Sequence, residues 1–447
     1  MNNIRNTGRS RHLEVRYLSI ASLKSNPQNP RLHSDKQVKQ IARSMEAFGP
    51  IVPVLIDGSS HVIAGHGRIQ AAQLLGLKEL PTICVEHLTE AEAKAFAIAD
   101  NKLTENSTWD QNLLGMQLKA LSEAELDFDL EATGFEVPEI DLLIEGLSAP
   151  ESGSDPAEEL PSEVAAQVTR LNDVWLLGRN RVLCGDSRDQ KCYLSLMDSR
   201  RADMVITDPP YNVRIDGHAT GLGMIRHRDF RMASGEMSEG EFTDFLFRIF
   251  SLLGSHSVPG SLHYVFMDWR HSNEILAAGR QAYPDLKALC VWVKDNGGMG
   301  SLYRSQHELV WVFKSGREGH RNNVQLGQFG RYRTNVWNYP GVNSFSRSTE
   351  EGNLLELHPT VKPVALVADA IMDCSARGDI VLDPFLGSGT TAIAAERTGR
   401  VCYGIELDPI YVDTIVRRWQ RFTGMTATHA VSGRRFNEVE EEANDEP

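Results

Sequence analysis

The stretch IVLDPFLGSGTTAIAAERTGRVCYGIELDPIY, residues 380–411, decides the fold. IVLD reads as a short buried strand, PFLGSG as a glycine-rich turn, TTAIAAERT as a helix and VCYGIE as the next strand. Strand, turn, helix and strand at these lengths make one wing of a doubly wound α/β sheet. Gly387 and Gly389 let the backbone approach a ligand, and the helix start at Thr390 offers free N–H groups. Pro384, Phe385 and Ser388 complete the turn. A phosphate loop would need Gly-Lys-Ser/Thr, but Gly389 is followed by Thr390. A dinucleotide site would want a third glycine where Ala392 stands, so a nucleoside cofactor remains. Glu406 ends the following strand 19 residues after Gly387, the spacing of a carboxylate that binds ribose hydroxyls. Asp383 either holds the cofactor's ammonium end or shapes the turn.

Upstream, the same alternation continues. VWLL, the turn GRN and RVLCGD form a hairpin. The segments DMVIT, LHYVFM, ALCVWV and ELVWVF read as strands, with helices within 237–254, near 272–282, at 362–374 and at 409–422. In DMVITDPPYNV, 203–213, an apolar strand ends at Asp208, where ligands bind in open α/β sheets. Pro209 and Pro210 stiffen the loop and fix a carboxylate, a carbonyl and the Tyr211 ring together. These groups suit an exocyclic amine. Asp208 and the Pro209 carbonyl accept its two hydrogens, and Tyr211 stacks on the attached ring.

With GDS (185–187), HPTVKP (358–363) and GIELDPIY (404–411), residues 166–425 resemble the amino-group DNA methyltransferases, in the subgroup that places DPPY before the cofactor loop. The resemblance implies a Rossmann-like doubly wound S-adenosylmethionine-dependent domain. It also implies a flipped-out base in double-stranded DNA held by Asp208, Pro209, Pro210 and Tyr211. Asp186, Lys362, Pro363, Asp383, Pro384, Phe385, Gly387, Ser388, Gly389, Thr390 and Glu406 are then cofactor residues. An aspartate opening the tetrapeptide favours adenine N6. Cytosine-N4 members of the family often open with serine; cytosine N4 is the alternative because it presents an exocyclic amine to the same pocket. Protein glutamine methyltransferases usually open with asparagine and carry the cofactor loop upstream. A restriction endonuclease and a second copy of the chain are further partners that the family admits.

Target recognition is expected in about 291–350, where eight Lys/Arg between 294 and 347 face Asp295, Glu308 and Glu318. Lys294, Tyr303, Arg304, Arg331, Arg333 and Asn343 are the candidates for reading bases or phosphates. Val291, Trp292, Val310 and Trp311 read as core.

The first 105 residues carry other signals. NPQNPR (26–31), AFGPIVPV, AGHGR (64–68) and ADN (99–101) resemble the N-terminal domain of ParB-like proteins, a smaller α+β fold over 12–105 that binds nucleotides in its relatives. Gly65, His66, Gly67 and Arg68 form the expected phosphate cradle at a strand-to-helix turn. Relatives show Gly-Glu-Arg-Arg there; this chain keeps the second arginine as Arg68 and lacks the acid and the first arginine. Ser34 with Gln37, and Thr89 with Glu92, predict capping boxes. Residues 106–147 are expected as a helical extension, 148–165 as an acidic linker and 426–447 as an acidic disordered tail.

The net charge of −14 does not oppose a nucleic-acid partner. Nine acidic residues lie in 136–163 and six after Arg435, so the remainder carries +1. The six cysteines form no CxxC pair and no zinc spacing, and no metal is expected. No apolar run is long enough to span a bilayer, and MNNIRNTGRSRH has no apolar stretch behind its basic residues, so a cytoplasmic protein is expected. The reading from another class is a nucleotide-gated DNA-binding or partition-like module with an inactive methyltransferase half.

Overall fold

The computed structural model describes residues 13–147, 156–158, 167–212, 235–295, 297, 302–341 and 361–445. Asn343 and residues 358–360 of HPTVKP lie outside this set. Two compact units divide the chain, Met1–Ala149 and Pro150–Pro447.

In the first unit, β1 (Val15–Ser19), α1 (Asp35–Phe48), β2 (Val54–Ile56), β3 (Val62–Ala64), α2 (His66–Leu74) and β4 (Glu79–Cys84) follow in order. The strands form one sheet, β1-β4-β2-β3. Ser34 Oγ accepts from Gln37 N at 3.2 Å, but the Gln37 side chain turns to His33, so only half of the expected capping box forms. IVPVLI narrows to a three-residue strand, because Pro50 and Pro53 cannot donate to a ladder. Ala42, Met45, Val54, Ile56, Ile69 and Ala71 make the core. α3 (Glu90–Glu105) starts at the reciprocal Thr89/Glu92 box. α4 (Gln111–Glu123) and α5 (Val137–Glu145) then pack Leu114 and Leu118 on Ile140 and Ile144.

The second unit opens with the hairpin β5 (Val174–Leu177) and β6 (Asn180–Cys184). It continues through α6 (Gln190–Met197), β7 (Ala202–Thr207), α7 (Glu239–Ser255), β8 (Ser257–Met267), α8 (Ser272–Ala282), β9 (Asp285–Val293), β10 (His307–Lys314) and β11 (Val336–Asn338). Then come α9 (Val364–Cys374), β12 (Ile380–Asp383), α10 (Thr390–Thr398), β13 (Val401–Glu406), α11 (Pro409–Thr423), β14 (Thr428–His429) and α12 (Phe436–Asp445). All ten strands join one mixed sheet, β11-β9-β10-β8-β7-β12-β13-β6-β5-β14.

The period-two alternation of the strands sets the layers. Met204 and Ile206 of β7 point to one face with Val381 of β12, under Ile371, Ile393 and Trp419 of α9, α10 and α11. Val205 and Leu382 point to the other, under Leu196, Phe242, Leu246 and Ile275 of α6, α7 and α8. The parallel strands run β8-β7-β12-β13-β6. From β7 the chain winds outward through α7 to β8. From β12 it winds the opposite way through α10 to β13. The winding therefore reverses between β7 and β12, and the crevice at their carboxyl ends is the ligand position of such a sheet.

One composition-based expectation is corrected. The acidic tail is helical as α12, because Phe436 is fully buried with its ring 5.0 Å from that of Trp175. Arg417 pairs with Glu440 at 2.7 Å and Arg434 with Glu442 at 2.6 Å. One apolar anchor and two cations compensate a run that composition alone reads as self-repelling.

Candidate active site

The DPPY loop and the glycine turn leave neighbouring strand ends. β7 and β12 are parallel partners, and Thr207 Oγ1 donates to Asp383 Oδ1 at 2.8 Å. Asp383 is 3% exposed and also accepts from Phe385 N at 3.1 Å and from Thr391 Oγ1 at 2.7 Å. Both of its oxygens thus tie strand, turn and helix together. Burial pushes its carboxyl up to about 6, against the pull of those three donors. Thr207 and Thr391 are site residues that sequence reasoning missed; both are hydroxyls flanking a buried aspartate.

The turn itself is built as expected, with one difference of reason. Gly387 and Gly389 take φ +54° and +86°, backbone that favours glycine. A Cβ on Gly389 would lie 3.1 Å from Ile415, so helix packing as well as ligand approach demands glycine there. Glu406 Oε2 accepts from Gly387 N at 2.8 Å and its Oε1 from Asp408 N at 2.9 Å. Burial raises the Glu406 carboxyl to about 7. Gly185 N donates to the Glu406 carbonyl at 2.8 Å, bringing the GDS turn alongside. Ser187 Oγ in that turn is buried and has no hydrogen-bond partner among the described residues. Asp186 carries Arg188 on both carboxylate oxygens and lines a cavity of about 620 Å³ with Met237, Phe245 and Arg248. Phe245 and Phe385 stand with ring centroids 6.2 Å apart. The orphaned Ser187 hydroxyl and the buried Glu406 acceptors beside the glycine turn fit a nucleoside cofactor; the cavity next to them is also lined by Asp189, Glu236, Glu241 and Asp244.

Lys362 sits elsewhere than expected. Its carbonyl is 3.4 Å from Thr390 Oγ1 of the cofactor turn, but its ammonium reaches Asp208 Oδ2 at 2.5 Å and Glu308 Oε2 at 3.1 Å. The lysine therefore links the two motifs, with its charge on the DPPY side. Pro363 precedes α9 as its cap. Asp208 Oδ1 accepts from the Tyr211 hydroxyl at 2.5 Å, and the same hydroxyl lies 3.2 Å from Glu308 Oε2. Lys294 donates to Glu308 Oε1 at 2.5 Å with its ammonium 4.6 Å from the Trp292 ring centre. Burial raises the Asp208 carboxyl above the usual carboxylate range, and Lys362 only partly offsets it. For Glu308 the balance is reversed: burial raises it, but Lys362 and Lys294 win and bring it down to about 2. Burial disfavours the Lys362 ammonium, yet Asp208 and Glu308 hold it above its usual range.

Asn212, directly after the loop, adopts φ +52°. Its side chain accepts from Gly235 N and Met237 N and donates to the Met237 carbonyl at 2.8 Å. The chain that leaves the site at 212 is thereby fastened where it re-enters at 235–237. Glu308 and Asn212 were both missed as site residues. A lone carboxylate inside the apolar strand HELVWVF was the available signal for the first.

Two of the base-reading candidates are corrected. Arg331, with its side chain 4% exposed, is bound to Asp373 at 2.8 Å and Asp369 at 3.1 Å. Arg333 pairs with Asp373 at 3.1 Å and donates to Tyr339 Oη at 2.6 Å. Both guanidiniums are committed to α9, holding β11 and its approach to the domain. Lys294 is likewise engaged by Glu308. Tyr303 and Arg304 are exposed and remain open to a ligand.

In the first unit, Asn26 of NPQNPR meets His66 of GHGR, Asn26 N donating to Nε2 at 3.4 Å. Gly65 caps α2 in the left-handed region with φ +108°. Arg68 is half-buried and donates to the Pro53 carbonyl at 3.2 Å. A Cβ on Gly67 would press on His33 and Ile41 at 3.0 Å, so this glycine serves helix packing.

The family model described as DNA methylase matches residues 202–417. The chain carries a DNA methylase domain. Ahead of it, residues 5–102 match the ParB N-terminal domain and 112–171 the ParB-methyltransferase HTH domain. The chain is 27% identical over 241 residues to the Type II methyltransferase M2.DpnII of Streptococcus pneumoniae, a match that covers 51% of this chain and 85% of that protein. It is 23% identical over 240 residues to M2.MboI of Moraxella bovis, covering 52% of this chain and 85% of that protein. The solved structure of TTHA0409 from Thermus thermophilus, complexed with S-adenosyl-L-methionine, matches at 21% identity and TM-score 0.39 over 57% of this chain and 96% of that one.

Proposed function

We propose that the methylase domain transfers the methyl group of S-adenosylmethionine to the N6 amine of an adenine flipped out of double-stranded DNA at a specific site. The observation that carries this reading is the meeting of two loops at the reversal between β7 and β12, with Lys362 reaching from one to the other. The bound sulfonium supplies an electrophilic methyl, so the protein's task is alignment and charge placement. Glu406 and the Gly387–Gly389 turn would hold the nucleoside, with Asp383 fixing the turn. Asp208 Oδ1 and the Pro209 carbonyl would accept the amine hydrogens, and the Tyr211 ring would stack on the base, at roughly 1–3 kcal/mol for such a contact. Extrusion of the base costs about a few kcal/mol, which stacking partly offsets. Exposed Tyr303 and Arg304 are the retained candidates for DNA contact.

The reading is tested by incubating the full chain with duplex DNA and isotopically labelled S-adenosylmethionine, followed by nucleoside analysis. N6-methyldeoxyadenosine is expected. N4-methyldeoxycytidine would reassign the base. DNA binding with no label transferred would favour the partition-like module. The ParB N-terminal domain is proposed to bind a nucleotide at Gly65–Arg68, tested by calorimetry with each ribonucleoside triphosphate against Arg68→Ala. A second copy of the chain and a companion restriction endonuclease are proposed partners in the cytoplasm, tested by sedimentation and co-purification from the source cell.

A further inference from the structure

Behind the DPPY loop, Glu308 is the group through which the others are joined. It rises from β10, facing Lys294 at the end of β9, Lys362 ahead of α9, and Tyr211 beside Asp208. Asp383 on β12 is the remaining charged neighbour of Asp208, and it is covered by Thr207 and Thr391. The two carboxylates Asp208 and Glu308 balance the two ammoniums Lys294 and Lys362, so these four groups carry no net charge between them, with Asp383 a separate charge the same in every variant. Both Asp208 oxygens are occupied, Oδ2 by Lys362 and Oδ1 by the Tyr211 hydroxyl.

An amine can take Oδ1 only if the Tyr211 hydroxyl yields it. The alternative acceptor stands ready, since Glu308 Oε2 is already 3.2 Å from that hydroxyl. Resting on the methyltransferase reading above, we propose that Glu308 is a positioning residue for methyl transfer. It holds Lys362 on Asp208 Oδ2, receives the Tyr211 hydroxyl when the target amine binds, and keeps the pocket neutral. Neutrality matters in the step itself. The amine lone pair forms the new nitrogen–carbon bond while the sulfur–carbon pair stays on sulfur. The nitrogen is then cationic until it gives one hydrogen, as a proton, to Asp208 Oδ1 and on to water. A surplus positive charge beside that nitrogen would oppose the step, whereas one beside a neutral ground state would cost less.

The test is steady-state methyl transfer by the full chain on duplex DNA from pH 5 to 9, comparing wild type with Glu308→Gln, Lys294→Gln and the double variant. Glu308→Gln leaves one uncompensated ammonium charge. Its kcat is expected to fall on the order of 10- to 100-fold with KM for S-adenosylmethionine little changed. Its acid limb should move to lower pH, because the unbalanced cation favours ionised Asp208. Lys294→Gln leaves one surplus negative charge and should move the limb the other way. The double variant restores neutrality and should regain much of the kcat lost in Glu308→Gln. A Glu308→Gln kcat within threefold of wild type overturns the proposal. So does an unshifted limb in both single variants, or a double variant no better than Glu308→Gln, either of which assigns Glu308 to fold alone. If Glu308→Gln does not fold, the sign of the Lys294→Gln shift decides. Wild type that labels no DNA at all overturns the underlying methyltransferase reading as well, and is distinguished from the other outcomes by being independent of Glu308.

Discussion

Asp383→Asn separates the two roles that the sequence leaves open for this residue. In the structure its carboxylate is 3% exposed and committed to Thr207, Thr391 and the Phe385 amide. The folded protein holds this carboxyl up to about 6, whereas an unfolded chain leaves it near the ordinary aspartate value of about 3.9. The folded state therefore binds the proton more tightly, and stability contributed by this group rises as pH falls through 6 towards 4. At neutral pH the ionised group costs about 3 kcal/mol relative to its protonated form, at about 1.4 kcal/mol per tenfold. Asparagine mimics the protonated form: its oxygen can accept from Thr207 and Phe385 N, and its amide can donate to the Thr391 hydroxyl. The variant should melt several degrees above wild type at pH 8, at about 2–4 °C per kcal/mol for a domain of this size. That advantage should shrink as pH falls from 7 to 5. Its affinity for S-adenosylmethionine by calorimetry should stay within about tenfold of wild type, roughly the worth of one hydrogen bond. A loss of more than about 100-fold, with no pH-dependent gain in melting temperature, would refute the reasoning and assign the carboxylate to the cofactor's ammonium.

Two further substitutions probe corrected expectations. Arg331→Met breaks a buried ion cluster rather than a base contact, so it should cost about 3–5 kcal/mol of stability while leaving the methylated DNA sequence unchanged; a changed site in methylation sequencing would restore Arg331 to target reading. Phe436→Ala removes the buried anchor of the acidic helix and should cost roughly 3–5 kcal/mol in thermal unfolding; a change below about 1 kcal/mol would mean that α12 contributes little to the domain.

What was legible in the sequence was local. Asp208 at the end of an apolar strand, the glycine spacing at 387 and 389, and Glu406 at the end of the next strand all carry their meaning within a few residues or one strand–helix–strand unit. What was not legible depends on partners far along the chain. Arg331 and Arg333 look like DNA contacts until Asp369 and Asp373, about forty residues away, are seen to neutralise them. Lys362 reads as a cofactor residue because it lies within HPTVKP, yet its ammonium crosses to Asp208, 154 residues upstream. Glu308 has no periodicity or motif of its own to mark it: the pairing of β10 with β9 brings Lys294 to it, and the segment ahead of α9 brings Lys362. Net charge misled at the tail, since composition does not register one phenylalanine placed to seat a helix.

The most direct measurement of the central claim is labelled methyl transfer to duplex DNA by wild type, Asp208→Asn and Gly389→Val in parallel, with S-adenosylmethionine affinity measured on each protein. One pocket served by both loops predicts N6-methyldeoxyadenosine from wild type only. It also predicts that Asp208→Asn still binds the cofactor, whereas Gly389→Val, strained at φ +86° and pressed on Ile415, does not. Undiminished labelling by Asp208→Asn would contradict the account.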